Sequence, residues 1–205
     1  MKKVVIASNN SGKLKEFTHL FKPLGIQAFP QSVFNVVEAE EPYQTFVENA
    51  LVKARHASKH TGLPALADDS GICVDVLNGK PGVYSARYAG EPKSDKRNNQ
   101  LLIEQLRTRQ DRSAHYYCII VLVRYADDPQ PIITDGSWYG RIILKPRGTG
   151  GFGYDPYFYL PNLDKTAAEL SIEDKNLISH RGKALIRLAR YISEETFGDI
   201  GKYSE

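Results

Sequence analysis

Cysteine is nearly absent from this chain. Cys73 and Cys118 are the only two, far apart and in no CxxC pair. That excludes a disulfide framework and a zinc knuckle, and it points to a reducing cytoplasm. Long apolar runs are lacking too, so no segment reaches transmembrane length. The opening Met1-Lys2-Lys3-Val4-Val5-Ile6-Ala7-Ser8 has too short an apolar part for a signal peptide and reads as a first strand. No single sign of charge dominates. The 27 Lys and Arg stand against 24 Asp and Glu, a net +3, which by itself gives no nucleic-acid surface. Repeats, low-complexity tracts and clear linkers are missing as well. With 41% hydrophobic residues the 205-residue chain can bury a real core, as one large domain or two closely joined lobes.

What is present starts with a strand, Val4 to Ala7, followed by the polar loop Ser8-Asn9-Asn10-Ser11-Gly12-Lys13. An amphipathic helix comes next, with Leu14, Phe17, Leu20 and Phe21 on one face. Strand, small polar loop and helix start form a common phosphate-binding geometry, because free N–H groups and the helix dipole face the anion. Lys13, taken alone, reads as an ordinary solvated lysine. The GxxxxGK[ST] spacing of a Walker loop is absent. Thr45 and Glu48 form a capping-box pattern that starts a helix running to about Thr61.

Ala67-Asp68-Asp69-Ser70-Gly71 reads as a strand end and a tight turn carrying acids, before a second strand through Ile72, Val74 and Val76. Ser94 caps a helix to about Thr108, and His115 to Arg124 is a central strand. Ile132 to Trp138 and Tyr139 to Leu144 read as two antiparallel strands around Gly136 or Gly140. Gly148 to Gly153 matches GxGxxG, but Tyr154-Asp155-Pro156 follows and cannot comfortably open a helix, so it is a Gly-rich loop and no dinucleotide fingerprint. A last helix spans Arg181 to about Thr196, and the tail after Gly198 is expected to fray.

Three features co-occur. Acids on tight turns (Glu40, Asp68, Asp69) are hard oxygen ligands suited to Mg²⁺. Lysines near helix starts (Lys13, Lys53) suit phosphate oxygens. A Gly-rich aromatic loop with Lys175, His180 and Arg181 suits stacking on and hydrogen-bonding a base. Together they point to phosphoryl-transfer chemistry on a nucleotide.

Six stretches, in order along nearly the whole chain, resemble the inosine triphosphate pyrophosphatase family, the XTP/dITP diphosphatases. They are Ser8 to Lys13, Thr45 to Ala50, Ala67 to Gly71, Pro81 to Tyr88, Gly151 to Pro156 and Ile178 to Gly182. The resemblance implies an elongated α/β fold: a twisted mixed sheet flanked by helices, forming a single domain over 1–205 with two lobes around a cleft. It implies a cytoplasmic homodimer that hydrolyses non-standard purine nucleoside triphosphates (ITP, dITP, XTP) to the monophosphate and pyrophosphate, with no nucleic-acid or membrane partner.

By the same resemblance Asp69 is the proton acceptor and a Mg²⁺ ligand, with Glu40 the second acidic ligand. Ser8, Asn9, Asn10, Ser11, Gly12, Lys13, Lys53 and Ser70 hold the triphosphate. Phe152, Gly153, Tyr154, Asp155, Lys175, His180 and Arg181 form the base pocket. The competing functions are a pyrophosphatase of modified pyrimidine nucleotides, a P-loop-like kinase, which the missing Walker spacing opposes, and a non-catalytic nucleotide sensor.

Overall fold

The computed structural model describes residues 2–198, apart from the side chains of Ser11, Leu20 and residues 194–198. The tail expected to fray lies outside the described residues. Among the described residues the strands are β1 (Lys3–Ile6), β2 (Gln27–Pro30), β3 (Ala65–Val74), β4 (Ser113–Val123), β5 (Ile132–Ile142), β6 (Phe158–Leu160) and β7 (Lys165–Thr166). The α-helices among them are α1 (Ser11–Phe21), α2 (Phe46–Thr61), α3 (Asp95–Leu106), α4 (Ile172–Ile178) and α5 (His180–Gly198). The strands form one mixed sheet in the order β2-β1-β3-β4-β5-β6-β7. The fold is α/β, and no helix among the described residues is long and apolar enough to cross a membrane.

Two compact units share these elements. The first gathers the described parts of Met1–Asp69 and Lys183–Glu205 with Ile119–Asp135; the second gathers Ser70–Cys118 and Gly136–Gly182.

In the first unit β1 runs parallel to β2 on one side and to β3 on the other, with Val5 opposite Ala65 and Ile6 opposite Leu66. Parallel neighbours need crossovers, and right-handed crossovers in opposite directions put α1 and α2 on opposite faces of the sheet. Phe17 and Phe21 of α1 are fully buried, as are Ala50, Ala54 and Ala57 of α2. Alanine at that spacing gives α2 a smooth face. Each large side chain buried this way contributes about 1.5–3 kcal/mol.

The second unit has its own core, in which Ile72, Leu102, Leu106, Tyr116, Trp138 and Phe158 meet. Ser94 caps α3 by accepting from the Arg97 N–H, and the Gly-rich loop opens no helix, both as the sequence predicts.

Three local expectations need correction. Asp68, Asp69, Ser70 and Gly71 make no turn, because β3 runs straight through them. The stretch expected to hold two strands, Ile132 to Leu144, holds the single strand Ile132–Ile142. The last helix begins one residue earlier than expected, at His180. The two strand errors share a cause. Gly71 and Gly140 are in extended backbone and are there for close approach. A Cβ on Gly71 would collide with the Gly82 carbonyl and the Ser85 hydroxyl, and one on Gly140 would lie 2.6 Å from the Tyr159 carbonyl. Glycine signals a turn only when its φ is needed, and here its missing side chain is what matters.

Candidate active site

The loop after β1 places the first group. The Asn10 side chain caps α1, its Oδ1 accepting from the Gly12 and Lys13 N–H groups at 2.9 and 3.1 Å. Ser8 Oγ accepts from the Asn10 N–H. The free donors expected from the sequence are therefore partly occupied by the chain's own amide oxygen.

β3 brings Asp68 and Asp69 beside this loop. Ala7 donates to the Leu66 carbonyl at 2.8 Å, so the carboxyl end of β1 lies against the segment that carries both acids. Successive strand residues point to opposite faces, and the partners differ accordingly. Lys13 Nζ of α1 lies 2.8 Å from Asp68. On α2, Lys53 Nζ lies 3.6 Å from Asp69, and Asn49 Nδ2 donates to Asp69 Oδ2 at 3.4 Å. Lys53 sits mid-helix rather than near a helix start, contrary to the sequence expectation. Open α/β sheets form a ligand crevice where crossovers diverge, beyond the carboxyl ends of the strands.

Asp68 is 1% exposed and Asp69 7%. Burial pushes the Asp69 carboxyl up to about 6, although Lys53 pulls it down. Burial on its own would lower Lys53. Asp69, Asp68 and Glu41 outweigh it and hold that ammonium above its ordinary value. Glu41 pairs with Lys53, while Glu40, the predicted ligand, is exposed.

In the second unit a separate group forms. Arg181, 5% exposed, donates to Ser70 Oγ at 3.1 Å. Asp155 is buried, and its Oδ2 accepts from the Phe152 N–H at 2.9 Å and pairs with Lys175. The Lys175 ammonium also lies 4.9 Å from the Phe152 ring centroid. The Gly153 N–H donates to Asp95 Oδ2, and the Gly153 carbonyl accepts from Asn99 Nδ2, both at 2.8 Å. Tyr154 donates its hydroxyl to the Ser85 carbonyl. His180, 7% exposed, stacks on Tyr116. Ser179 Oγ accepts from the Gly182 N–H, which fixes the turn into α5.

The structure thus brings Lys13 to Asp68, Lys53 to Asp69, Arg181 to Ser70, and Lys175 to Asp155 and Phe152. It leaves Glu40 and Asn9 exposed. Asp95, Asn99 and Tyr116 were not singled out from the sequence; Glu38, Glu40 and Glu41 together offer a metal ligand there, for which the resemblance takes Glu40, and Asn49 lies in the Thr45 to Ala50 stretch without a role. Asn99 had a readable signal: it is a polar residue on the buried side of α3, close to Leu102 and Leu106. Glu41 and Tyr116 had none that separates them from their neighbours.

Asp68, Asp69 and Glu41 bring carboxylate oxygens, hard ligands, to this part of the unit, beside the Lys53 and Asn49 nitrogens. Among the described residues no three acids, histidines or cysteines converge to hold a metal by themselves. An ion such as Mg²⁺ needs only one or two carboxylates where phosphates complete its shell, so the residues fit such an ion.

Comparison with known proteins follows the same pattern. Residues 4–191 match the model of the Ham1 family. A dITP/XTP pyrophosphatase of Nitrosomonas europaea is 66% identical over 95% of this chain and 96% of its own. One from Ralstonia nicotianae is 62% identical over 92% and 95%. A solved HAM1 protein from Coxiella burnetii superposes with a TM-score of 0.91 at 50% identity, over 95% of this chain and 100% of that one. The Staphylococcus aureus Ham1 structure gives 0.87 at 42%, with the same coverage.

Proposed function

This chain belongs to the Ham1 family, and from that premise we propose that it hydrolyses non-standard purine nucleoside triphosphates (ITP, dITP, XTP) to the monophosphate and pyrophosphate. Such an enzyme removes these nucleotides from the pool before they enter DNA or RNA. The observation that carries the proposal is Asp69, a buried carboxyl near neutrality beside Lys53 and Asn49.

In this scheme Ser8 to Lys13, Lys53 and Ser70 take the triphosphate. Asp69 accepts a proton from water as its oxygen attacks the α-phosphorus. The bond from that phosphorus to the β-bridging oxygen breaks, and pyrophosphate leaves with its charge opposed by Lys13 and Lys53. Mg²⁺ is the proposed ion, with Asp69 and Glu40 as its protein ligands. When bound, it supplies charge neutralisation on the phosphates.

The base falls to Phe152, Gly153, Tyr154, Asp155, Lys175, His180 and Arg181. Hypoxanthine and xanthine carry a 6-oxo acceptor where adenine carries an amino donor. Donors from Lys175, His180 or Arg181 are satisfied by the first and face a donor in the second. Two unmade buried hydrogen bonds, at about 1–3 kcal/mol each, give roughly 10²–10⁴-fold discrimination.

The proposal takes residues 1–205 as one domain with two lobes; β3, β4 and β5 each contribute residues to both units, which supports it. A homodimer is proposed on the family resemblance, and light scattering at twice the chain mass tests it. A cytoplasmic setting accords with Cys73 and Cys118 forming no disulfide.

One assay tests the activity: incubation with ITP, dITP, XTP, ATP, GTP and dTTP plus Mg²⁺, with product identification. Pyrophosphate from the first three is expected. Orthophosphate release refutes the mechanism, and equal turnover of ATP refutes the specificity.

A further inference from the structure

Behind the base-pocket residues lies a tyrosine from β4. Tyr116 is 8% exposed. Its ring is parallel to the His180 imidazole, with centroids 4.7 Å apart and planes 10° apart. Phe158 meets it edge-on at 4.8 Å, and Trp138 stacks along the same column, 6.4 Å from His180. The Tyr116 ring is therefore fixed by its own packing. Its hydroxyl donates to Asp155 Oδ1 at 3.3 Å. The other oxygen of Asp155 is the one that accepts from Phe152 and holds Lys175.

We infer that Tyr116 is a positioning residue for base selectivity, setting Lys175 through its hydroxyl on Asp155 and setting His180 through its ring. The inference rests on the base pocket proposed above. The two contributions are separable because they use different parts of one side chain. A carboxylate held at both oxygens cannot rotate, so the ammonium that it fixes has one position from which to donate. An imidazole stacked on an immobile ring likewise keeps one plane. Selectivity by hydrogen bonds depends on donors that do not swing to suit the wrong base.

Tyr116→Phe removes only the hydroxyl and keeps the stack. Tyr116→Leu removes both. kcat and KM for ITP and ATP are measured for these variants, the parent and Lys175→Ala, with a thermal melt of each. Tyr116→Phe is expected to keep kcat for ITP within about twofold, raise its KM about 3–10-fold and lower the ITP-to-ATP ratio of kcat/KM in step. Tyr116→Leu is expected to lower the ratio about 3–10-fold further.

A ratio and KM unchanged in Tyr116→Phe overturn the role of the hydroxyl. A lower melting temperature with an unchanged ratio in both Tyr116 variants makes the residue purely structural and also overturns it. If Lys175→Ala leaves the ratio unchanged, the base pocket itself is misplaced and the inference falls with it. If Lys175→Ala lowers the ratio while the Tyr116 variants do not, Tyr116 alone is refuted.

Discussion

Asp68 and Asp69 are adjacent in the chain yet serve opposite faces of β3, Asp68 pairing with Lys13 and Asp69 with Lys53. Adjacent acids in a turn would repel one another and share their partners. In a strand each has its own nearest lysine, although Lys13 and Asp68 also act on Asp69.

This separation predicts opposite stability effects. A carboxyl raised in the folded state gives stability that is present below its unfolded value and lost as pH rises through about 6. At pH 8 ionised Asp69 is thus a cost, and Asp69→Asn is expected to hold or raise the urea-unfolding free energy, by up to about 1–2 kcal/mol. Pyrophosphate release should fall at least about 10²-fold. Asp68→Asn strips Lys13 of its partner and is expected to lose about 1–3 kcal/mol. Urea titrations of both at pH 8 check this, and a less stable Asp69→Asn refutes it.

Uptake of Mg²⁺ should follow the same group. The ion competes with the proton on Asp69, so nucleotide-free affinity is expected to fall about tenfold per pH unit below 6 and to level off above it. Calorimetric titrations between pH 5 and 8 measure this. A flat profile removes Asp69 from the ligand set.

Gly182 lies in the first turn of α5 with the Asn176 carbonyl where a Cβ would sit. Gly182→Ala must push α4 and α5 apart there, at about 1–3 kcal/mol. The same strain shifts His180 and Arg181, so KM for ITP should rise with it. A melt and an ITP saturation curve decide, and a variant equal to the parent in both sinks the prediction.

In the first unit, Asp128 is fully buried, and the Arg124 guanidinium, then the Arg124 and Gln130 N–H groups, hold its carboxyl well below the usual range. Stability from a depressed carboxyl is present above its unfolded value, near pH 4, and is lost as pH falls through the folded one. Asp128→Asn is expected to cost about 1–2 kcal/mol at pH 7 and to flatten the loss of stability below pH 4. Urea midpoints from pH 2 to 7 test both.

The sequence exposed most of the helices and strands, because periodicity survives folding: Phe17 and Phe21, or Leu102 and Leu106, mark buried faces without any structure. Gly71 and Gly140 misled it. Whether a glycine turns the chain or makes room depends on which atoms approach it, and these come from Gly82, Ser85 and Tyr159, distant in sequence. The same limit applies at the site. Lys13 and Asp69 sit in recognisable motifs. Tyr116 is one β-former among several on its strand, and its stacking on His180 and its hydroxyl on Asp155 set it apart.

The Asn10 cap bears on which anions can compete for the α1 terminus. The amide oxygen that occupies the Gly12 and Lys13 N–H groups is tethered to them, so an incoming ligand meets a competitor at high effective concentration. A lone phosphate or sulfate has one charge centre with which to displace it. A triphosphate brings further contacts elsewhere in the site and can offset the exchange. If this loop takes the triphosphate as proposed, the cap is expected to favour polyphosphates over lone inorganic anions there.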